Sequence, residues 1–189
     1  MSDGHNAFWA DDIADDIEAR DPDDPIVIKG GVSPSGVPHL GHFNEIMRGY
    51  FVAATLRERG HEVRQVFTSD DRDALRNVPR PLVGLGDVDA SALGRNLGKP
   101  YTDIPDPFGE TASYGAHFTD LLARSADAVG VDVEMVSNTE LYESGKFEAV
   151  TREVLEKRDL AREVLAEYQD GVDESYVPFM PQCSECGKL

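Results

Sequence analysis

Cysteine is nearly absent from this chain: two among 189 residues, Cys183 and Cys186. A disulfide framework is therefore excluded as the source of stability, and the Cys-x-x-Cys spacing reads as half a metal site or a redox pair. Long apolar runs are missing too. No stretch of eighteen apolar residues occurs, which excludes a membrane-spanning helix, and Met1–His5 lacks the basic and apolar character of an export signal. Cytoplasm is the expected compartment. Positive charge is the third shortage: 18 Lys and Arg stand against 36 Asp and Glu, a formal net charge of −18, with lysine scarcer than arginine. A nucleic-acid binder at ordinary salt is usually basic on its binding face, because phosphate contacts and counterion release supply affinity; this chain repels polyanions on average. At molar salt, where the Debye length is about 3 Å, the self-repulsion is screened, so the balance points to a salt-adapted source. Apolar content of 40% and regular periodicity argue against a disordered acidic chain.

What is present is an alternation of short β-branched runs and helical stripes. The spacing predicts a helix over Ala7–Arg20, capped by Asn6 or Asp3, then a strand over Ile26–Gly31. A long amphipathic helix follows over His39–Arg59, with Leu40, Phe43, Met47, Tyr50, Phe51 and Ala54 at helical spacing and Gly60 as its cap. Glu62–Thr68 reads as a second strand. Ser69–Glu110 reads as a long loop without period, softest over Leu82–Gly98. A helix over Ser113–Val129, a strand over Val131–Ser137, a helical turn near Thr139–Tyr142 and one long helix over Lys146–Tyr168 complete the pattern. Strands alternating with helices predict an α/β fold, a Rossmann-like parallel sheet with right-handed crossovers and ligands at the carboxyl edge.

The most informative stretch runs from Gly30 to Glu45. It leaves a strand, passes through Ser33-Pro34-Ser35-Gly36 and enters a helix at His39-Leu40-Gly41-His42. Small residues let backbone N–H groups approach a ligand, and a helix N-terminus offers unpaired donors and partial positive charge. His39 and His42, three apart, can face one anion from the first turn, while Gly41 leaves room for a nucleotide. A triphosphate suits such a place. At the next strand exit, Asp70, Asp71 and Asp73 surround Arg72 and could hold the ammonium groups of an amino acid. Both clusters leave strand ends and should face one crevice.

The tetrad resembles the "HIGH" signature of class I aminoacyl-tRNA synthetases and related nucleotidyltransferases, in which it binds ATP phosphates and stabilises the α-phosphorus during adenylation. The wider text is similar to archaeal-type class I lysyl-tRNA synthetases almost end to end. The segments that carry the similarity are Phe8–Ala14, Gly31–Gly36 with His39–His42, Asp70–Asp73 with Arg76–Pro79, and Ile104–Gly109 with Ser113-Tyr114 and His117-Phe118. Glu140–Tyr142 and Glu156–Asp159 continue it. The resemblance implies activation of L-lysine with ATP and Mg²⁺ and transfer to tRNA(Lys). It places His39 and His42 in catalysis and Pro34, Ser35, Gly36, His39, Gly41 and His42 at ATP. Gly31, Ser33 and Asp70 would meet lysine, with Asp71 and Asp73 behind them.

Two departures from the family pattern matter. The family can hold a metal through an Asp, a Cys-His pair and a later His; here Asp106 and His117 remain, but Glu110 and Thr111 stand where Cys-His would be. Losing a soft ligand and an imidazole weakens zinc binding, so either a poorer Asp/Glu/His site persists or the turn is held by its own hydrogen bonds, and the second is expected. The second departure is length. Residues 1–175 correspond to the first half of the catalytic domain. Residues 176–189, with Cys183 and Cys186 as a partial zinc site, correspond to the start of a zinc-ribbon-like insertion. The expectation is a fragment with negligible aminoacylation alone, unless a second polypeptide completes it. The rival assignments are a free-standing His-x-Gly-His nucleotidyltransferase and a non-catalytic, nucleotide-binding relative.

Overall fold

The structure, a computed structural model, describes residues 8–84 and 88–189. Its frame is a parallel sheet in the order β1-β2-β3. β1 (Ile26–Val32) pairs with β2 (Val63–Ser69), Ile26 opposite Val63 and Val32 opposite Ser69. β2 in turn pairs with β3 (Glu134–Ser137), from Val66 opposite Glu134 to Ser69 opposite Ser137. Helix α2 (Leu40–Glu58) crosses from β1 to β2, and α4 (Tyr114–Asp127) lies on the path from β2 to β3. The sheet tolerates no side chain at two β1 positions. A Cβ on Gly30 would stand 2.8 Å from the Phe67 ring, and one on Gly31 would stand 2.5 Å from Thr68 Oγ1.

Three apolar clusters hold the elements. Helix α1 (Trp9–Glu18) seats Ala10 and Ala14 against Val52, Ala53 and Leu56 of α2 and against Ile26 and Val63. Ile46, Phe67, Leu122, Ala126 and Val131 join α2, β2 and α4. The third cluster, Leu75, Leu82, Leu93, Tyr101, Ile104, Tyr114 and Phe118, lies largely within the segment read as a loop. Each fully buried Leu or Phe contributes about 1.5–3 kcal/mol of transfer free energy, so this segment has a core of its own.

That finding corrects the expectation for Ser69–Glu110. It carries 3₁₀ turns at Arg80–Leu82 and Tyr101–Asp103 and a short α3 (Ala90–Arg95) capped by the Asp89 carboxylate. Pro79 and Pro100 start the two turns, and Gly84 and Gly98 take positive φ. Leu82 and Leu93, inside the stretch expected to be softest, are buried; residues 85–87 of that stretch lie outside the described residues.

The helix expected over Lys146–Tyr168 is two, α6 (Glu148–Glu156) and α7 (Arg158–Ala166), separated at Lys157 (φ −99°, ψ 24°). The third strand begins at Glu134, because Val131 turns into the core. The short α5 (Asn138–Glu143) follows it. The proposed caps Asn6 and Asp3 lie outside the described residues, and Phe8 precedes α1 without a side-chain cap. Among the described residues, no helix is long and apolar enough to cross a membrane.

Candidate active site

The exits of β1 and β2 meet at the carboxyl edge of the sheet. Asp70 N–H donates to the Val32 carbonyl at 2.9 Å, so the loop carrying Ser33 and the loop carrying the aspartates start side by side. The first loop is tight and anchored. Ser35 N–H donates to the Ser33 carbonyl (2.8 Å), and the Tyr114 hydroxyl donates to the Ser35 carbonyl (2.7 Å). Pro34 and Gly36 are buried, and a Cβ on Gly36 would meet Pro79 at 3.2 Å. Burial raises the Tyr114 phenol far above its ordinary value, which keeps it a neutral donor.

His39 and His42 are brought together as their spacing predicts. His39 is the N-cap of α2 in extended backbone, and its Nδ1 accepts from Gly41 N–H at 3.0 Å. The Nδ1 of His42 accepts from His39 N–H at 3.4 Å, which completes a reciprocal capping box. The rings stack at a centroid distance of 3.9 Å and 23°. Acceptance at both Nδ1 atoms leaves the protons on Nε2, so the pair presents two N–H donors at a helix start. Burial first, and the His39 charge second, hold the His42 imidazole below its ordinary value. The space beside Gly41 is taken by the His39 ring, since a Cβ there would stand 2.8 Å from His39 Cε1. Gly41 therefore admits the cap; the structure leaves the expected room for a nucleotide filled by imidazole.

The three aspartates point three ways. Asp71 is buried and accepts from Ser137 Oγ (2.6 Å) and Thr139 N–H (2.8 Å), fastening the β3–α5 junction to the end of β2. Asp73 accepts from Ser33 Oγ at 2.6 Å, a direct tie between the two loops. Asp70 accepts from Asn138 Nδ2 at 2.7 Å. Burial, then the Asp73 carboxylate, raises the Asp70 carboxyl above its ordinary value, against the opposing pull of Lys29. A half-buried carboxylate with a like charge beside it and, among the described residues, no ion pair gains from an incoming ammonium.

Ser33 stands between the two clusters. With His42, Pro34 and Gly36 it lines a narrow crevice against Thr119 and Met135. With Asp73, Arg76 and Asn77 it lines a cavity of about 380 Å³. On the far side of residues 73–76 a larger cavity, about 750 Å³, is lined by Asp70, Asp73, Asn138, Arg72, Gln182 and Lys188 among others. Sequence reasoning missed Asn138, Gln182 and the anchoring role of Tyr114. Ser137-x-x-Glu140 is a capping signature, with Ser137 Oγ accepting from Glu140 N–H at 3.1 Å, and it marks a helix start at the ligand edge. No local signal marks the other two.

The metal candidates fall in two places, Asp106 with His117 and Cys183 with Cys186. Burial would raise the Asp106 carboxyl, but N–H donors from Phe108, Thr111 and Glu110 outweigh it and hold the group below its ordinary value. Thr111 Oγ1 adds a fourth bond, and His117 Nδ1 sits 3.3 Å away. Hydrogen bonds within the turn hold it, with Glu110 Oε2 3.8 Å from the same His117 nitrogen. Cys183 and Cys186 are exposed in a tight turn closed by Cys183 N–H to the Lys188 carbonyl (2.7 Å). Donors at Cys186 and Glu185 lower the Cys183 thiol. Two thiols are half of a tetrahedral set, and among the described residues no group of three or more His, Cys, Asp or Glu is placed to hold a metal ion.

A three-stranded parallel α/β sheet, with a histidine pair at the helix after β1 and carboxylates at the β2 exit, is the frame of a class I synthetase family member. The family profile described as tRNA synthetases class I (K) matches residues 7–189, and the chain belongs to that family. It is 75% identical to a lysine--tRNA ligase of Haloarcula marismortui over 190 residues, covering 97% of this chain and 35% of that protein. It is 70% identical to the lysine--tRNA ligase of Natronomonas pharaonis, covering 96% and 35%. Identity to the enzyme of Pyrococcus horikoshii is 34%, covering 94% and 34%. The chain thus spans about a third of the length of these relatives. Its acidic balance accords with its similarity to proteins of halophilic archaea.

Proposed function

We propose that this chain forms the lysine- and ATP-contacting part of a lysine--tRNA ligase. The observation that carries the proposal is Ser33, which lines a crevice with His42 and donates to Asp73 at 2.6 Å, Asp73 in turn lining the cavity that holds Asp70. In the first half-reaction, the lysine carboxylate attacks the α-phosphorus of ATP and pyrophosphate leaves. Asp70, whose hydrogen-bond partner is the neutral Asn138 amide, takes an ammonium of lysine; Ser33 holds Asp73 in second position. The Nε2–H groups of His39 and His42 donate to phosphate oxygens as charge gathers there, which is electrostatic catalysis by preorganised donors. Mg²⁺ would accompany the triphosphate and neutralise its charge. Gly31 holds the strand close to Thr68 and so sets where the Ser33 loop begins. Transfer to tRNA(Lys) in the cytoplasm is the second half-reaction, and the Cys183–Cys186 turn opens a zinc-ribbon-like insertion that begins near residue 176.

The test is isothermal titration of the chain in molar KCl with ATP, with L-lysine, and with a non-hydrolysable lysyl-adenylate analogue. The analogue should bind at least about tenfold more tightly than either part, as expected of a ligand that spans both sites. Nucleotide binding indifferent to the amino-acid moiety would contradict the proposal, and preference for another acceptor would move the chain toward a different nucleotidyl transfer.

A further inference from the structure

Arg72 lies two residues from Asp70 and one from Asp73, and all three line the cavity of about 750 Å³. Yet it pairs with neither. Its Nη2 donates to Gln182 Oε1 at 2.8 Å, and its Nη1 stands 4.0 Å from Glu143. The Gln182 amide is fully engaged: Nε2 donates to Asp103 Oδ2 (2.5 Å) and to the Gly187 carbonyl (2.9 Å). Three partners of fixed polarity leave the amide one orientation, with its oxygen toward the guanidinium. The segment bearing Gln182 is itself docked. Leu189 N–H donates to the Gly98 carbonyl at 2.8 Å, and the Lys188 stem packs on Gly98.

An arginine that lines the same cavity as two carboxylates has an alternative state. Released, its guanidinium would reach for Asp70 and Asp73 and neutralise them, occupying with protein charge the place that an ammonium ligand needs. Bidentate carboxylate pairing is what a guanidinium does best. We propose that Gln182 is a positioning residue that holds Arg72 away from Asp70 and Asp73, so that the carboxylates stay open to the ammonium groups of a cationic amino acid. This rests on the assignment of lysine to that site. It adds a residue 110 positions away from Arg72 in sequence to the determinants of specificity.

The signature is a loss that a second substitution repairs. Gln182→Met keeps the volume and removes the acceptor for Arg72, together with the donors to Asp103 and Gly187. The Asp70 carboxyl is followed by ¹³C NMR through a pH titration of the 189-residue chain, without ligand. In Gln182→Met its midpoint should fall by about one pH unit as Arg72 pairs with it. In Gln182→Met combined with Arg72→Ala it should return to the wild-type value. L-lysine affinity should fall about tenfold in Gln182→Met and recover in the double variant, while ATP affinity stays constant. A merely structural Gln182 would give a double variant no better than the single one, and that result overturns the proposal. So does an Asp70 midpoint indifferent to Gln182→Met. If the variants show the titration behaviour but the wild-type chain has no lysine affinity, the clamp stands and the assignment of lysine to the cavity fails.

Discussion

At the scale of single residues, the site is a set of groups held in states they would not choose alone. Asp70 has a carboxyl raised by burial and by Asp73. Because its folded value lies above the unfolded one, ionised Asp70 lowers stability at neutral pH, and the deficit disappears as pH falls below the unfolded value. Asp70→Asn should therefore raise Tm slightly at pH 7, by about 1–3 °C, while raising the lysine requirement far more than the ATP requirement. Thermal melts and two titrations check both; equal damage to the two substrates would remove Asp70 from the lysine site. His42 has the opposite sign. Its value is depressed by burial and by His39, so stability is lost as pH falls below the ordinary imidazole value. A bound phosphate favours the protonated ring. ATP affinity should climb as pH drops from 8 toward 6, by about tenfold for each unit the phosphate lifts His42, and His42→Ala should flatten that profile.

Residue identity at this edge was legible because its chemistry is local: a glycine-rich strand exit, two imidazoles three apart, a run of carboxylates. What the residues touch was not. Asp71 reads like its neighbours in sequence but serves as an anchor for Ser137 and Thr139. Its burial depends on a strand that arrives more than sixty residues later.

At the scale of elements, legibility followed periodicity. β1, α2, β2 and α4 were readable to within two residues at each end, since their apolar positions repeat and their caps are Ser, His and Gly chemistry. The interior of Ser69–Glu110 was not, because Leu75, Leu82, Leu93, Tyr101 and Ile104 reach the core from turns without regular spacing. The break at Lys157 was also invisible. Lys157, Arg158 and Asp159 all suit a helix, and neither α6 nor α7 buries a residue that would fix its direction. Arg162 Nε donates to the Tyr176 carbonyl at 2.6 Å, which ties the following segment back to α7.

Helix α1 shows a different dependence. Its alanines pack well, but its position is locked by Arg59 at the end of α2, which meets Asp15 (2.6 Å), Glu18 (2.7 Å) and Asp11 (3.4 Å). These carboxylates would otherwise repel one another along one face. Arg59→Ala should loosen α1 before the rest of the fold. Amide exchange in residues 9–18 should accelerate while β2 keeps its protection; uniform acceleration would show that α1 is no separate unit.

At the scale of the whole molecule, a formal charge of −18 on 189 residues is the dominant fact. The ion pairs are mostly exposed and individually worth about 0–1 kcal/mol. They do not offset the excess of carboxylates, so the three apolar clusters must hold the chain against self-repulsion. Salt relieves that repulsion. Tm should rise steadily between about 0.1 and 2 M KCl, and a salt-independent Tm would mean that the acidic surface carries no cost. The same screening restricts recognition to short range, which suits a site made of direct donors and carboxylates.

The central claim is that one ligand engages the histidine pair and Asp70 together. NMR of the chain, labelled in His and Asp side chains and titrated with the lysyl-adenylate analogue, tests it most directly. The account predicts that the Nε2 signals of His39 and His42 and the carboxyl signal of Asp70 move along a single saturation curve. Movement at one cluster while the other stays still, at any ligand concentration, would contradict it.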